Sequence, residues 1–178
     1  MKFYEFGDAG KPAILLLPGT CCHWKANFEE VIPFLEQDFH VICVSYDGFD
    51  ETEDTIFPDM LTETEKMESF VREKLGGKIY AVYGCSLGGS FAGLLVQRKN
   101  LQISHAILGS SDLDQETGLS AKLKAWLISK IFAGMFRRGR LPKFMQKKLD
   151  QMSAGEKSYS DKLLDVFGLK STRMSFVK

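Results

Sequence analysis

Apolar and polar positions over the first 110 residues switch between strand-like and helix-like periods. Met1–Phe6 alternates apolar with polar residues and stops at the turn signal Gly7-Asp8-Ala9-Gly10. Ala13–Leu17 is a continuous apolar run halted by Pro18-Gly19, the pattern of a strand buried on both faces. Asn27, with Glu30 three residues on, has the form of a helix N-cap. Phe28, Val31, Ile32 and Leu35 then fall on one helical face, and Pro33 is predicted to bend that helix or delay its start. Val41–Ser45 is a β-branched strand run followed by a polar, acidic loop. Thr62–Leu75 reads as a helix closed by Gly76-Gly77, with Met67, Phe70 and Val71 inward. Ile79–Tyr83 predicts a strand, Leu87–Arg98 a helix and Ile103–Leu108 a further strand.

Strands separated by helices require right-handed crossovers, so the fold class is α/β, a mostly parallel sheet flanked by helices in three layers. After Ser111 the pattern is helical, with no convincing strand. Two regions are therefore expected: 1–112 as the sheet-bearing core and 113–178 as a helical, cap-like segment.

The chain has 178 residues, 44% of them hydrophobic and 26% charged, which suits a globular domain with a substantial core. Lysine plus arginine (23) balances aspartate plus glutamate (23), so no basic footprint supports nucleic-acid binding. The balance conceals a local asymmetry. Residues 50–68 hold eight acids against Lys66, whereas residues 119–149 hold nine bases and no acid. Cysteines at 21, 22, 43 and 85 include no C-x-x-C spacing, and the histidines at 23, 40 and 105 are scattered, so no metal site is expected. No organic cofactor is implied either. The first residues are already strand-like, no signal-peptide pattern follows, and no apolar run reaches the ~20 residues that span a bilayer. A reduced, cytoplasmic setting is the expectation.

Gly84-Cys85-Ser86-Leu87-Gly88 is a G-x-S-x-G sequence with an apolar strand before it and an amphipathic helix after it. A serine at such a strand-to-helix turn is held in a strained conformation, its hydroxyl clear of the sheet. Glycines two residues away on each side let strand and helix approach. The helix N-terminus beneath the serine favours negative charge nearby. Upstream, Leu15-Leu16-Leu17-Pro18-Gly19-Thr20 ends a buried strand in a glycine turn, followed by His23 and Trp24. Val44-Ser45-Tyr46-Asp47-Gly48 ends the next strand in an aspartate and a glycine turn.

Taken in order over residues 2–110, these motifs resemble the α/β-hydrolase superfamily. The resemblance implies Ser86 as a catalytic nucleophile, with the N–H groups of Thr20 and Leu87 forming an oxyanion hole. Each such donor is typically worth ~10²–10³ in rate. It implies a structural role for Asp47, and leaves His23, in the turn that carries Thr20, as a candidate substrate contact. Pro18 stands where the family usually has histidine. In this superfamily the acid and the histidine follow the serine along the chain. Only His105 follows Ser86, at a predicted strand start, and neither it nor His40 fits a base; Asp112 and Asp114 read as turn or capping groups.

Two readings follow. In the first, the chain is a serine hydrolase of a small ester, thioester or related acyl substrate, with its remaining strands, acid and histidine expected beyond residue 178. In the second, it is a non-catalytic α/β-hydrolase-like binding or scaffold protein. A dinucleotide-binding fold is disfavoured, because Gly7-Asp8-Ala9-Gly10 lacks the fingerprint spacing.

Residues 119–149 stand where the family often inserts a lid, which makes Trp126, Phe132 and Phe136 candidates to line an acyl pocket. Their interspersed bases also suit an anionic membrane surface or an acidic partner. A sheet that stops at its last predicted strand leaves an unpaired edge, so self-association is expected.

Overall fold

The computed structural model describes residues 1–111 apart from 21 and 51, together with Leu123, Trp126, Lys130 and Gln151. The chain divides into two compact units, Met1–Leu113 and Asp114–Lys178. In the second, Leu123, Trp126 and Lys130 are helical, and Lys130 Nζ lies 5.5 Å from the centre of the Trp126 ring. Phe132, Phe136, Asp112 and Asp114 lie outside the described residues.

The first unit is an α/β structure. In chain order its elements are β1 (Lys2–Phe6), β2 (Ala13–Leu17), α1 (Trp24–Phe28), α2 (Ile32–Leu35) and β3 (His40–Ser45), then α3 (Met60–Leu75), β4 (Lys78–Cys85), α4 (Leu87–Arg98) and β5 (Gln102–Gly109). The five strands form one sheet in the order β1-β3-β2-β4-β5. Only β1 runs antiparallel, with Phe3 opposite Val44. The parallel registers place Leu15 beside Ile42, Leu16 beside Tyr83, and Ala81 beside His105. Each parallel step carries its helices in the connection, as crossovers demand.

Strand alternation divides the core between two faces. Leu15, Leu17, Ile42, Val44 and Val82 pack with Met67 and Val71 of α3 and with Phe91 and Leu95 of α4. Ile14, Leu16, Val41 and Cys43 pack on the other face with Trp24, Phe28 and Ile32. Each such fully buried side chain contributes about 1.5–3 kcal/mol.

Helix α3 starts where Asp59 Oδ1 accepts the Thr62 N–H at 2.9 Å and ends at Gly76 in the left-handed conformation, as the glycine pair predicts. The segment after β2 departs from its predicted form. Instead of one helix capped by Asn27 there are two short ones, and α1 is capped by His23, whose Nδ1 accepts the Lys25 N–H at 3.3 Å. Pro33 has no N–H for an interior helix bond and sits in the first turn of α2, so the chain breaks before it. Val31, expected inward, is 44% exposed. Asn27, inside α1, is left to bond elsewhere.

Candidate functional site

Strand β4 ends at Cys85 and α4 begins at Leu87, so Ser86 alone makes the turn. Its backbone lies at φ 52° and ψ −114°, a conformation that costs a non-glycine residue on the order of 1–3 kcal/mol. Three backbone bonds enforce it. Ser86 N–H donates to the Gly109 carbonyl at 2.7 Å, and the Ser86 carbonyl accepts from Gly89 at 2.8 Å and from Ser90 at 3.3 Å. A serine in this position usually spends its hydroxyl on an N-terminal amide of the helix. Ser86 makes no such bond: its side chain is exposed, with no hydrogen-bond partner among the described residues.

The glycines on either side are required by contact. A Cβ on Gly84 would stand 2.0 Å from the Gly88 carbonyl oxygen. The N-terminus of α4 is thereby driven against the end of β2.

The turn after β2 meets this serine. A Cβ on Gly19 would lie 3.7 Å from Ser86 Cβ and 3.6 Å from the Cys85 carbonyl oxygen. Asn27 Oδ1 accepts the Gly19 N–H at 2.9 Å, and the Tyr46 hydroxyl donates to the Pro18 carbonyl at 3.2 Å. Burial pushes the Tyr46 phenol well above its ordinary value, with the charges of Glu63 and Cys85 adding to the shift, so it stays a donor. Thr20 is exposed, and neither its N–H nor that of Leu87 has an acceptor among the described residues. Ser86, Leu87 and the turn that carries Thr20 therefore come together at the carboxyl end of the parallel strands. That arrangement offers a free hydroxyl beside two unspent backbone donors and a helix N-terminus.

The histidines do not join them. His105, expected at a strand start, stands mid-strand in β5 opposite Ala81, exposed, its ring 4.9 Å from that of Tyr80. Ala81 precedes Ser86 by five residues, about 16 Å along the strand. His40 is buried at the start of β3, its Nε2 2.8 Å from Glu5 Oε2. His23 is boxed between Tyr4 and Trp24, ring centres 5.7 and 5.4 Å away, and its Nε2 is 3.6 Å from Asp50 Oδ2. Tyr4 belongs to β1, three strands from β4 and about 14 Å across the sheet.

Asp50 shows how this corner tolerates a buried charge. Burial alone would raise its carboxyl; hydrogen bonds from the Thr52 hydroxyl, the Tyr4 hydroxyl and the Thr52 N–H, with the charge of His23, hold it far below the usual range. Asp47 lies away from the turn, paired with Lys66 and with the amine of Met1. Of the cysteines, Cys43 and Cys85 are free thiols; burial pushes Cys43 up to about 12 and raises Cys85. Among the described residues no cluster of three or more histidine, cysteine, aspartate or glutamate side chains could hold a metal. None of their helices is long and apolar enough to cross a membrane.

Neither Asn27 nor Tyr46 was expected at this turn from the sequence. Asn27 carried the signal of a cap, and the better clue for Tyr46 was a phenol at the end of a strand otherwise aliphatic and buried.

The alpha/beta hydrolase fold family matches this chain over residues 12–162. The human monoacylglycerol lipase ABHD6 is 32% identical over 87 residues, which cover 47% of this chain and 26% of that protein. The chain thus matches about a quarter of that relative's length. A Pseudomonas putida 1H-3-hydroxy-4-oxoquinoline 2,4-dioxygenase is 40% identical over 50 residues, 28% of this chain and 19% of the relative. Among solved structures, a carboxylesterase from Nitrososphaera gargenis superposes with a TM-score of 0.68 at 14% identity, covering 96% of this chain and 63% of that one. MenH from S. aureus superposes with a TM-score of 0.66 at 16% identity, covering 96% and 69%. Identities this low speak for the fold alone; with the family match over most of the sequence, the chain belongs to the alpha/beta hydrolase fold family.

Proposed function

We propose that this chain carries the nucleophile and the oxyanion donors of a serine hydrolase acting on a small ester, thioester or related acyl compound. Ser86 Oγ attacks the acyl carbonyl carbon while its proton passes to a base. The carbonyl electron pair moves onto oxygen, where the N–H groups of Thr20 and Leu87 and the N-terminus of α4 receive the charge. Collapse of the adduct expels the alcohol or thiol and leaves an acyl-Ser86, which water then cleaves. The observation that carries this reading is Ser86 itself, the sole residue of a strained turn, with its hydroxyl uncommitted beside Gly19. The substrate class is suggested by a relative named as a monoacylglycerol lipase. His23, in the turn that carries Thr20, is the proposed substrate contact. The basic 119–149 stretch is proposed as the segment that meets an anionic surface or an acidic partner.

The base is the part these residues do not supply. His105 is about 16 Å from Ser86 along the sheet, His40 is paired with Glu5, and His23 is held by Tyr4, Trp24 and Asp50. In this reading the base and its acid belong to further chain, in keeping with solved relatives of which this chain covers 63–69%. The position of His105 also favours a second reading, a non-catalytic relative that keeps the serine turn as a binding feature.

Exposure to a fluorophosphonate, followed by intact mass, tests whether Ser86 is activated. One adduct that disappears in Ser86→Ala supports the hydrolase. A folded chain that takes no adduct means that no proton acceptor serves Ser86, the outcome for a piece that lacks its base and for a non-catalytic relative alike; a longer protein carrying a downstream histidine that also takes none favours the non-catalytic reading.

A further inference from the structure

Two side chains hold opposite ends of one peptide unit. The carbonyl of Pro18 and the N–H of Gly19 belong to the same amide plane, and each is bonded to a different element. Tyr46, directly after β3, donates its hydroxyl to that carbonyl at 3.2 Å. Asn27, within α1, accepts that N–H through Oδ1 at 2.9 Å. The two come from opposite sides of the sheet: Tyr46 belongs to the core packed by α3 and α4, and α1 to the core over the other face.

Neither side chain is loosely held. Tyr46 is fully buried and stacks on Phe91 of α4 with ring centres 4.7 Å apart. Asn27 is flanked on its short helix by Trp24 and Phe28, both core residues. The peptide between them lies against the serine turn. A Cβ on Gly88 would stand 2.8 Å from the Pro18 carbonyl oxygen, and one on Gly19 3.7 Å from Ser86 Cβ.

We propose that Asn27 and Tyr46 form a clamp on the Pro18–Gly19 peptide, and that this clamp aims the next N–H, that of Thr20, at the acyl oxygen on Ser86. A glycine beside an exposed residue is the place where a peptide plane rotates most cheaply. Rotation here would swing the Pro18 carbonyl, an acceptor, toward the position meant for an oxyanion, and would carry the Thr20 N–H away. Two hydrogen bonds, one from the buried Tyr46 and one to the half-buried Asn27, oppose it. Asn27 and Tyr46 are thus positioning residues; neither touches the reacting atoms. The inference rests on the assignment of Ser86 and Thr20 proposed above.

Its test has two readouts on the intact chain. The first is native-state hydrogen exchange of the Gly19 amide, resolved by NMR. It should be slow in wild type and at least tenfold faster in Asn27→Leu, which keeps the volume and loses the acceptor. Asn27→Asp, which keeps an acceptor, should restore slow exchange. The second is the rate of fluorophosphonate labelling at Ser86. Asn27→Leu and Tyr46→Phe should each slow it by about tenfold, less than the ~10²–10³ lost with a whole oxyanion donor, with the thermal midpoint recorded for each variant. Labelling at the wild-type rate in a folded Asn27→Leu would overturn the proposal, as would fast Gly19 exchange in wild type. A wild-type chain with slow Gly19 exchange that takes no label counts against an activated Ser86 in this chain, and the clamp then stands or falls on the Gly19 exchange of Asn27→Leu and Asn27→Asp.

Discussion

Gly88 lies so close to Leu17 that a Cβ on it would stand 2.0 Å from the Leu17 carbonyl oxygen and 2.8 Å from that of Pro18. These are backbone atoms at the end of a central strand, so a methyl group gains room only by lifting α4 off β2. The same contact keeps the serine turn beside the turn that carries Thr20. Gly88→Ala should therefore destabilise by about 2–3 kcal/mol, the upper range for overpacking, seen as a lower urea midpoint at unchanged slope. It should also slow labelling of Ser86 at temperatures where the variant is still folded. A variant as stable as wild type would show that the helix shifts freely, which the contact forbids.

Much of this arrangement was legible in the sequence, and the reason differs by element. The apolar run 13–17 and the glycines at 84 and 88 signalled their roles because each is forced by a local requirement, burial on both faces or backbone contact. In the region 24–35 the late start at Pro33 was legible, whereas Asn27 was misread, because its bond to Gly19 outweighed the capping pattern. His105 lay further into its strand than expected, since β5 extends to Gln102 and Gly109. What could not be read was pairing across the fold. That Tyr46 and Asn27 grip one peptide depends on which strands are neighbours, and no local spacing encodes it.

Glu68 is buried on α3 and is met by Arg98 Nε at 2.8 Å and by Asn100 Nδ2 at 3.0 Å. Burial raises its carboxyl, but these bonds and the charges of Arg98 and Arg72 bring it below the ordinary value. Arg98→Met would leave a buried carboxylate with Asn100 and a 3.7 Å contact to Arg72. Removal of one partner of such a pair costs more than removal of both charges. The expected outcome is a loss of stability, read as a lower denaturant midpoint. Combining it with Glu68→Gln should recover part of that loss. Chemical denaturation of the two single variants and the double variant closes the cycle.

Acid should weaken the fold through the same kind of group. Burial raises the Asp47 carboxyl, yet hydrogen bonds from Lys66 and the Met1 amine, with the charge of that amine, bring it down to about 2. A free aspartate titrates near 3.9. The stabilisation from Asp47 is then fully present above about pH 4 and fades as pH falls toward 2, because protonation favours the unfolded chain. Lys66→Met removes one of the depressing partners, so the folded value should rise and the loss should begin at higher pH. Thermal midpoints recorded from pH 2 to 7 for both proteins would show the acid limb displaced upward in the variant. Superimposed limbs would mean the ion pair is not formed in solution.

Strand β5 forms one margin of the sheet, and its outer edge has no partner strand among the described residues. From Gln102 to Gly109 it contains no lysine, no proline and no carboxylate, the groups by which sheet edges usually resist pairing. Ile107 is 53% exposed and Leu108 39% exposed, on opposite faces of the strand. An eight-residue neutral edge with apolar groups on both sides is a template for another strand. We therefore expect the 178-residue chain to associate through β5 at micromolar concentration, with an apparent mass in light scattering that rises with concentration. Ile107→Lys places a charge on that edge without entering the core, and should lower association while leaving the thermal midpoint within about 1 kcal/mol equivalent of wild type. Equal association by the variant would move the contact away from β5, and a concentration-independent monomer in the wild type would mean the edge is already covered.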